Sequence, residues 1–466
     1  MPDILSIYNR YESTDPPKIL VCDDMAQSFH AGLGDSQFNV QQEKFASPAD
    51  IAAAVRDRAI QYVVVRSGAK VSGPEFERVF EESSRFVGIG RAGVGVDNID
   101  VKAATRRGVM VQNTPEASTE SVGEHAIALA LGLLKRIGPN TVCTQRGEWD
   151  KKLTREIAGA NVVIIGAGRI GVDVAAKFKM LGAQVHGHDP FNPSAAYLFG
   201  REARGISGRY LGEKDSRRLV REPQMPITHT PDELCALLAD ADVVSIHVPG
   251  EIRDPVLGGR EIGALKKGAV VINTSRENAI EYRALLDVLD RKELAVGLDV
   301  LPQENAGFSI HPFVAELMRL QSQGANVIVT HHTAGNSAPA QERIGEELAG
   351  GIVELFRDGS IRNGVNIPST LKPREGERPR VIVVNRDQRG AIAQVTSALS
   401  SHNLHTVALS PLPGPAREAG VDVLGYEVDV NGNTPASVAG NVVENLQRLY
   451  RDVPGARELL IRGYVL

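Results

Sequence analysis

An arginine, a glutamate and a histidine each follow an apolar run of this chain. Together, side chains of these types could bind an acidic substrate and transfer a proton to or from it. Arg276, Glu304 and His332 each stand just beyond a run typical of a buried strand. If these strands are parallel neighbours, the three side chains meet at the carboxyl edge of one sheet, where open α/β sheets bind ligands. A carboxylate–imidazole pair can act there as a general acid/base, and a guanidinium can bind a carboxylate. Taken singly, each residue is also typical of a structural position.

A glycine-rich loop, GAGRIG from Gly166 to Gly171, ends the apolar run 161–165 and opens a predicted helix. Gly166 would make the tight turn, Gly168 would let the backbone approach a pyrophosphate, and Gly171 would let the helix pack closely. Asp189 ends the next apolar strand, 18 residues past Gly171, where a carboxylate can accept hydrogen bonds from an adenosine ribose. This order indicates NAD rather than NADP, because a carboxylate repels a 2′-phosphate. The alternative is a turn that merely packs.

Size and composition predict a soluble protein of about three domains. The chain has 466 residues, of which 42% are hydrophobic and 23% charged. A formal charge of −5 gives no reason to expect nucleic acid or an anionic membrane as a partner. The 3 cysteines are far apart and form neither a disulfide framework nor a metal-binding pattern, so we expect no metal and a cytoplasmic location. We also expect no signal peptide and no transmembrane segment.

The order of the apolar runs predicts two Rossmann-like α/β lobes and a smaller C-terminal module. The first lobe, at 1–120 with a return segment at 321–366, would bind the substrate. The second lobe, at 121–320, would bind NAD and is inserted into the first, so we expect a substrate cleft between them. A proline-rich linker at 367–379 leads to the module at 380–466, whose element order βαββαβ is the ferredoxin-like plan.

A basic stretch at 197–224 interrupts the NAD-binding lobe. It is either a solvated surface insertion, a clamp over the adenosine end of the cofactor, or a subunit contact. Its basic residues are Arg201, Arg204, Arg209, Lys214, Arg217, Arg218 and Arg221.

Five segments resemble motifs of the D-isomer-specific 2-hydroxyacid dehydrogenases. They are GRAGVGVDNID (90–100), GAGRIG (166–171), NTSREN (273–278), GLDVLPQEN (297–305) and VTHHTAGNS (329–337). The ordered set extends over most of the chain, and the C-terminal module is similar to an ACT domain. The resemblance is strongest to the members that oxidise D-3-phosphoglycerate to 3-phosphohydroxypyruvate, the first step of L-serine biosynthesis. It implies an NAD-dependent, cytoplasmic homotetramer with an amino-acid effector as a possible partner of the ACT module.

The resemblance also assigns roles to residues. Arg276 would bind the substrate carboxylate and orient the C2 oxygen, His332 would be the general acid/base, and Glu304 would orient the imidazolium and raise its pKa. Arg169 and Ile170 would hold the pyrophosphate. The residues expected to contact the cofactor are Gly166, Gly168, Arg169, Ile170, Gly171, Asp189, Thr274, Ser275, Asp299 and Gly335, with Asp299 on the nicotinamide amide.

In the first lobe, the resemblance places two more parts of the substrate site. Backbone amides of Gly93, Val94 and Gly95 would hold the substrate carboxylate. Arg66 and Ser67 would meet a phosphate, because a guanidinium fork suits that group.

Departures from the family pattern leave alternatives open. His331 stands where the family usually has proline and is a competing acid/base, although the register of Ala334-Gly335 favours His332. Glu277 replaces the usual glycine and adds a carboxylate near an anionic substrate. Another D-2-hydroxy acid is therefore the nearest alternative substrate, and an NAD-sensing co-repressor on this fold is a second alternative function.

The C-terminal module also departs from the pattern of serine-binding ACT domains. Asn385, Asp387 and His405 stand where those members carry their ligand-binding residues. We therefore expect effector binding to be retained, changed in specificity or lost, with weak or no inhibition by L-serine.

Overall fold

The computed structural model divides into two compact units. The flanking unit comprises Met1–Ala117 and Gln341–Leu466, and the central unit is Ser118–Ala340. Residues described are 6–9, 15–34, 37–149, 151–191, 225–250, 252, 254–302, 311–367, 380–386, 404–410, 421–428, 435–452 and 460–465. Glu304, the basic stretch 197–224, Asp387, the linker beyond 367 and residues 391–402, where the βαββαβ order puts the first helix of the module, lie outside these ranges.

A five-stranded parallel sheet forms the first part of the flanking unit, in the order β3-β2-β4-β5-β6. The run Tyr62–Val65 is buried throughout, because apolar clusters cover both faces of the sheet. The elements are β1 (Ser6–Asn9), β2 (Lys18–Val21), α1 (Gln27–Leu33), β3 (Asn39–Gln42), α2 (Pro48–Asp57), β4 (Tyr62–Val65), α3 (Pro74–Glu82), β5 (Gly88–Arg91), α4 (Val101–Arg106) and β6 (Met110–Gln112).

The central unit contains a seven-stranded sheet in which every described pairing is parallel. Its elements are α5 (Thr119–Leu134), α6 (Ile137–Gln145), β7 (Asn161–Ile165), α7 (Arg169–Met180), β8 (Gln184–His188), β9 (Ile227–Thr228), α8 (Pro231–Leu238), β10 (Val243–Ile246), α9 (Gly259–Ala264), β11 (Val270–Asn273), α10 (Tyr282–Leu289), β12 (Ala295–Leu298), α11 (Pro312–Ser322) and β13 (Val327–Val329). The order is β13-β12-β11-β10-β7-β8-β9. Its direction reverses between β7 and β10, the point at which open α/β sheets bind ligands.

The return segment begins later than the sequence predicted. We expected the chain to rejoin the first lobe from residue 321, but β13 pairs with β12, with Val327 opposite Val296. Val327 is fully buried in the apolar cluster of the central sheet, which holds this strand there. Helix α12 (Ala338–Asp358) then carries the chain back, and the flanking unit resumes at Gln341.

The C-terminal part of the flanking unit contains a second five-stranded sheet, in the order β1-β17-β14-β16-β15. Its elements are β14 (Arg380–Arg386), β15 (Leu404–Ser410), β16 (Val421–Val428), α13 (Pro435–Asp452) and β17 (Leu460–Val465). Among the four C-terminal strands each neighbouring pair is antiparallel, in the order that a βαββαβ plan produces. The sequence did not predict β1, which adds to the edge of β17 in parallel.

The predicted α/β class with two Rossmann-like parallel sheets is confirmed. The apolar run 161–165 forms β7, and the helix predicted after the glycine loop is α7. Within the described ranges, no helix is both long and apolar enough to span a membrane.

Candidate active site

The glycine loop lies at the carboxyl end of β7 and opens α7. Gly166 has φ +93°, and a Cβ there would lie 2.3 Å from the carbonyl oxygen of His247. A Cβ at Gly171 would lie 1.9 Å from the carbonyl oxygen of Gly166. Gly168 differs, because its φ of −77° suits any residue and a Cβ would meet nothing within 4 Å. The space at Gly168 leaves the first amides of α7 accessible, as the predicted pyrophosphate contact requires.

The carboxylate of Asp189 lies beside this loop, at the end of β8. Its Oδ2 accepts a 2.9 Å hydrogen bond from the N–H of Ala167, and its Oδ1 accepts one of 2.9 Å from the N–H of Phe191. A carboxylate offers about four acceptor sites, so these two bonds orient Asp189 and are compatible with further bonds from ribose hydroxyls. Arg169 and Ile170 form the first turn of α7, next to the same loop.

A buried ion pair within α7 lies where this helix packs closely against α5. Lys177 donates to Oδ2 of Asp173, and both side chains belong to α7. A Cβ at Gly123 of α5 would lie 2.0 Å from the same oxygen, so only glycine permits this approach. Burial raises the pKa of Asp173 to about 6, against the opposing effect of Lys177. The helix that follows the glycine loop is therefore held against α5 by close packing at Gly123.

Arg276 follows β11 in a turn that Asn273 closes. The Oδ1 of Asn273 accepts hydrogen bonds from the N–H and hydroxyl of Ser275, at 3.0 and 2.8 Å, and its Nδ2 donates to the carbonyl of Arg276 at 2.8 Å. Thr274 and Ser275 are buried within this turn, whereas Arg276 is half-buried. The turn therefore presents the guanidinium at the carboxyl edge of the sheet.

His332 lies in a turn that a buried carboxylate, Asp299, holds in place. The backbone of His332 is left-handed, with φ +56°, and its N–H donates to the carbonyl of Asp299 at 2.7 Å. The carboxylate of Asp299 accepts from the N–H groups of Thr333 and Ala334, each at 2.9 Å, and from the hydroxyl of Thr330 at 2.6 Å. The side chain of His332 is exposed, and so is that of His331.

These bonds give Asp299 a role beyond the predicted one. We expected it to meet the nicotinamide amide, and the structure uses both of its oxygens to position the turn that carries His332. Asp299 itself is fully buried. Gly335, another predicted cofactor residue, follows this turn directly, and a Cβ there would lie 3.5 Å from Ser118.

Two residues of α5 contact the same turn, and the sequence did not single them out. Ser121 donates to the carbonyl of Ala334 at 2.6 Å, and Nε2 of His125 lies 3.1 Å from the hydroxyl of Thr330. These partners are 213 and 205 residues apart in the chain. No local sequence pattern signals contacts of such separation.

A neutral histidine lines the point where the strand order reverses. His247 follows β10, and burial lowers its pKa to about 3. Its Nε2 lies 2.8 Å from the hydroxyl of Ser245. Because the imidazole is neutral across the physiological range, it adds no charge beside the glycine loop. The sequence did not predict this residue either.

The predicted substrate residues of the flanking unit lie at the carboxyl ends of β4 and β5. The turn at Gly93 differs from the prediction, because the N–H of Gly93 donates to the carbonyl of Arg91 at 2.9 Å and is used within the turn. With φ +139°, and with Nη1 of Arg91 only 1.4 Å from where a Cβ would stand, Gly93 shapes the turn. Amides of Val94 and Gly95 remain the predicted donors.

Arg66 has both acidic and basic side chains around it. Its N–H donates to Oδ2 of Asp23 at 2.6 Å, and its Nη1 donates to the carbonyl of Asp24 at 3.1 Å. Lys44 pairs with the Asp24 carboxylate at 2.6 Å. Ser67 next to it is exposed. The surroundings of the predicted phosphate group thus combine two cations with two carboxylates.

Comparison with known families agrees with this arrangement of strands and turns. The model of the D-isomer specific 2-hydroxyacid dehydrogenase catalytic domain matches residues 19–366. The chain belongs to this family. The match includes the glycine loop, both turns at Arg276 and His332, and the first part of the flanking unit from residue 19 onward.

Several relatives carry different names within the family. A D-3-phosphoglycerate dehydrogenase of Methanocaldococcus jannaschii is 34% identical over 68% of this chain and 53% of its own length. A hydroxypyruvate reductase of Thermotoga maritima is 31% identical over 65% of this chain and 86% of its own. The chain thus spans about half the length of the first of these relatives.

A solved structure shares the fold. The D-lactate dehydrogenase of Aquifex aeolicus, complexed with NAD and lactic acid, superposes with a TM-score of 0.58 at 23% identity. The match covers 76% of this chain and 100% of the D-lactate dehydrogenase chain. At this identity the likeness concerns the fold alone.

The glycine loop yields a paired prediction. Replacing Gly168 with alanine leaves the thermal unfolding midpoint unchanged, since its Cβ meets no atom, but weakens NADH binding by about tenfold or more, because it fills the space for the pyrophosphate. Gly171→Ala is the matched control: it lowers the unfolding midpoint, because its Cβ collides with backbone. NADH fluorescence titration and thermal melts measure both. Wild-type NADH affinity in Gly168→Ala would contradict this assignment.

Proposed function

We propose that this chain is an NAD-dependent dehydrogenase of a D-2-hydroxy acid. The observation that carries the proposal is that one parallel sheet bears, at the same edge, the glycine loop with Asp189 and the turns that present Arg276 and His332. Arg276 follows β11, and His332 follows β13, two strands away in the sheet order. Neighbouring strands lie about 4.8 Å apart, so these side chains can act on one small molecule.

The chain's own residues supply binding and proton transfer. Bound NAD would accept a hydride from C2 of the hydroxy acid or, in the reduced form, return it to the keto acid. The imidazole of His332 takes the hydroxyl proton in the oxidation and returns it to the oxygen in the reduction. Arg276 binds the carboxylate and orients the C2 oxygen. The proposed pair of Glu304 with His332 stays a prediction, since Glu304 lies outside the described residues.

We propose D-3-phosphoglycerate as the substrate, oxidised to 3-phosphohydroxypyruvate at the start of L-serine biosynthesis. Arg66 supports this assignment, because a guanidinium at a strand end can bind a phosphate. The relative named D-3-phosphoglycerate dehydrogenase supports it as well. Amides of Val94 and Gly95 would add donors for the carboxylate.

A D-2-hydroxy acid without phosphate is the second candidate. The observation that favours it is the pair of carboxylates around Arg66: Asp23 bonds its backbone, and Asp24 pairs with Lys44. Glu277, directly after Arg276, adds a further negative charge. A relative named hydroxypyruvate reductase fits this alternative.

The C-terminal module is proposed as an ACT-like regulatory unit of a homotetramer. The antiparallel strand order β17-β14-β16-β15 and helix α13 support this fold. Strand β15, at the end of the described sheet opposite β1, would pair with a second copy. An amino acid would be the effector.

Substrate choice is tested by following NADH oxidation with 3-phosphohydroxypyruvate and hydroxypyruvate, each over a range of concentrations. We expect a higher kcat/KM for 3-phosphohydroxypyruvate than for hydroxypyruvate. A preference for hydroxypyruvate would establish the second candidate. If the protein binds NADH in a titration but reduces none of a broad panel of 2-keto acids, the result would support the NAD-sensing co-repressor instead.

The two catalytic substitutions should fail differently. His332→Ala lowers kcat by about 10²–10⁴ with little change in NADH affinity, because it removes only the acid/base. Arg276→Ala chiefly raises KM, equivalent to about 2–4 kcal/mol of lost binding. Steady-state kinetics and NADH titration separate the two. His331→Ala is the neighbouring control and retains activity; a dead His331→Ala beside an active His332→Ala would reverse the assignment of the acid/base.

Cofactor choice depends on Asp189. Asp189→Ala weakens NAD binding and narrows its advantage over NADP, since a carboxylate that accepts from a 2′-hydroxyl repels a 2′-phosphate. The ratio of kcat/KM values for NAD and NADP measures this. Asp240→Ala removes the same charge beside Asn161, at the opposite end of β7, and leaves the ratio unchanged. A wild-type enzyme that prefers NADP would refute the assignment.

A further inference from the structure

We propose that His125 is a positioning residue for the His332 turn, acting through Thr330 and Asp299. This inference rests on the proposed function, in which His332 is the acid/base. It adds a residue of α5 that neither the family motifs nor the strand-end pattern mark. The three side chains form a line from α5 to the buried carboxylate.

The donors and acceptors of this line can be assigned one by one. Asp299 is an acceptor when ionised, so the Thr330 hydroxyl donates to its Oδ1 across 2.6 Å. That hydroxyl has one proton, so in its 3.1 Å contact with Nε2 of His125 it must accept. Nε2 therefore carries the ring proton. The imidazole of His125 thus fixes the orientation of the Thr330 hydroxyl, and this hydroxyl fixes the carboxylate of Asp299.

The carboxylate in turn holds a strained backbone. A left-handed non-glycine residue such as His332, with φ +56°, is strained and persists only where its surroundings determine it. Here the constraint consists of three amides: the N–H of His332 on the Asp299 carbonyl, and those of Thr333 and Ala334 on its carboxylate. A carboxylate free to rotate would release two of the three.

Helix α5 supports the turn from a second point, one helical turn earlier. Ser121 donates to the carbonyl of Ala334 at 2.6 Å, and residues four apart lie on the same helix face. Nε2 of His125 also lies 3.5 Å from Oδ1 of Asp299, and its side chain is 22% exposed. The imidazole thus lies beside the carboxylate that it restrains through Thr330.

The test compares His125→Leu with His125→Gln, whose amide nitrogen can replace Nε2 as donor. His125→Leu lowers kcat with the preferred 2-keto acid and NADH by about 10- to 100-fold, because the acid/base is misplaced, while NADH affinity stays within about threefold. His125→Gln restores kcat to within about threefold of wild type. His186→Leu is the matched control: it makes the same change on β8, four strands and about 19 Å from β12 in the sheet order.

A second measurement does not depend on turnover. Amide hydrogen exchange of the 330–335 peptide becomes about tenfold faster or more in His125→Leu, and stays at the wild-type rate in His125→Gln and His186→Leu. If the wild type reduces no 2-keto acid, the proposed function fails and the exchange data alone decide the positioning role. Unchanged kcat and exchange in His125→Leu would overturn the inference. Equal impairment of the Gln and Leu variants would also overturn it, because packing of the ring would then matter rather than its proton.

Discussion

The bonds between the Asp299 carboxylate and the turn after β13 are the constraint on which the proposed chemistry depends. Burying a carboxylate is costly unless hydrogen bonds satisfy it, and here two backbone amides and a hydroxyl do so. The same bonds hold His332 in a left-handed conformation that it would not adopt alone. Removal of the carboxylate would leave buried donors without an acceptor and release the turn. The position of the imidazole is therefore set by groups that need not touch the substrate.

Parallel strands bring the remaining parts to the same edge. Strands β7 and β8 end at the glycine loop and at Asp189, and β11 to β13 end at the turns of Arg276, Asp299 and His332. Close contacts to backbone or to a buried charge leave no room for a side chain at Gly123, Gly166 or Gly171. Steric exclusion thus fixes the loop, and the open space at Gly168 leaves access to it.

The sequence predicted those features whose signals are local. The branched apolar run 161–165 predicted β7, and the spacing of GAGRIG and Asp189 predicted the order of strand, glycine loop, helix and strand that the structure contains. Our assignment of β13 to the first lobe was wrong. A short apolar strand has the same pattern in either sheet, and the pairing of β13 with Val296 is a long-range property. The pairing of β1 with β17 and the contact of His125 with Thr330 escaped prediction for the same reason. The partnership of Glu304 with His332 stays a prediction.

The most direct test of this account is stopped-flow measurement of hydride transfer from NADH to 3-phosphohydroxypyruvate by the wild type and by Asp299→Asn. The asparagine keeps the shape of the side chain but places an N–H₂ group opposite groups that donate hydrogen bonds. The turn that carries His332 therefore loses hydrogen bonds that hold it in place. We expect the transfer rate at saturating NADH to fall by about 100-fold or more, because the acid/base is misplaced. Transfer by Asp299→Asn at the wild-type rate would contradict this account.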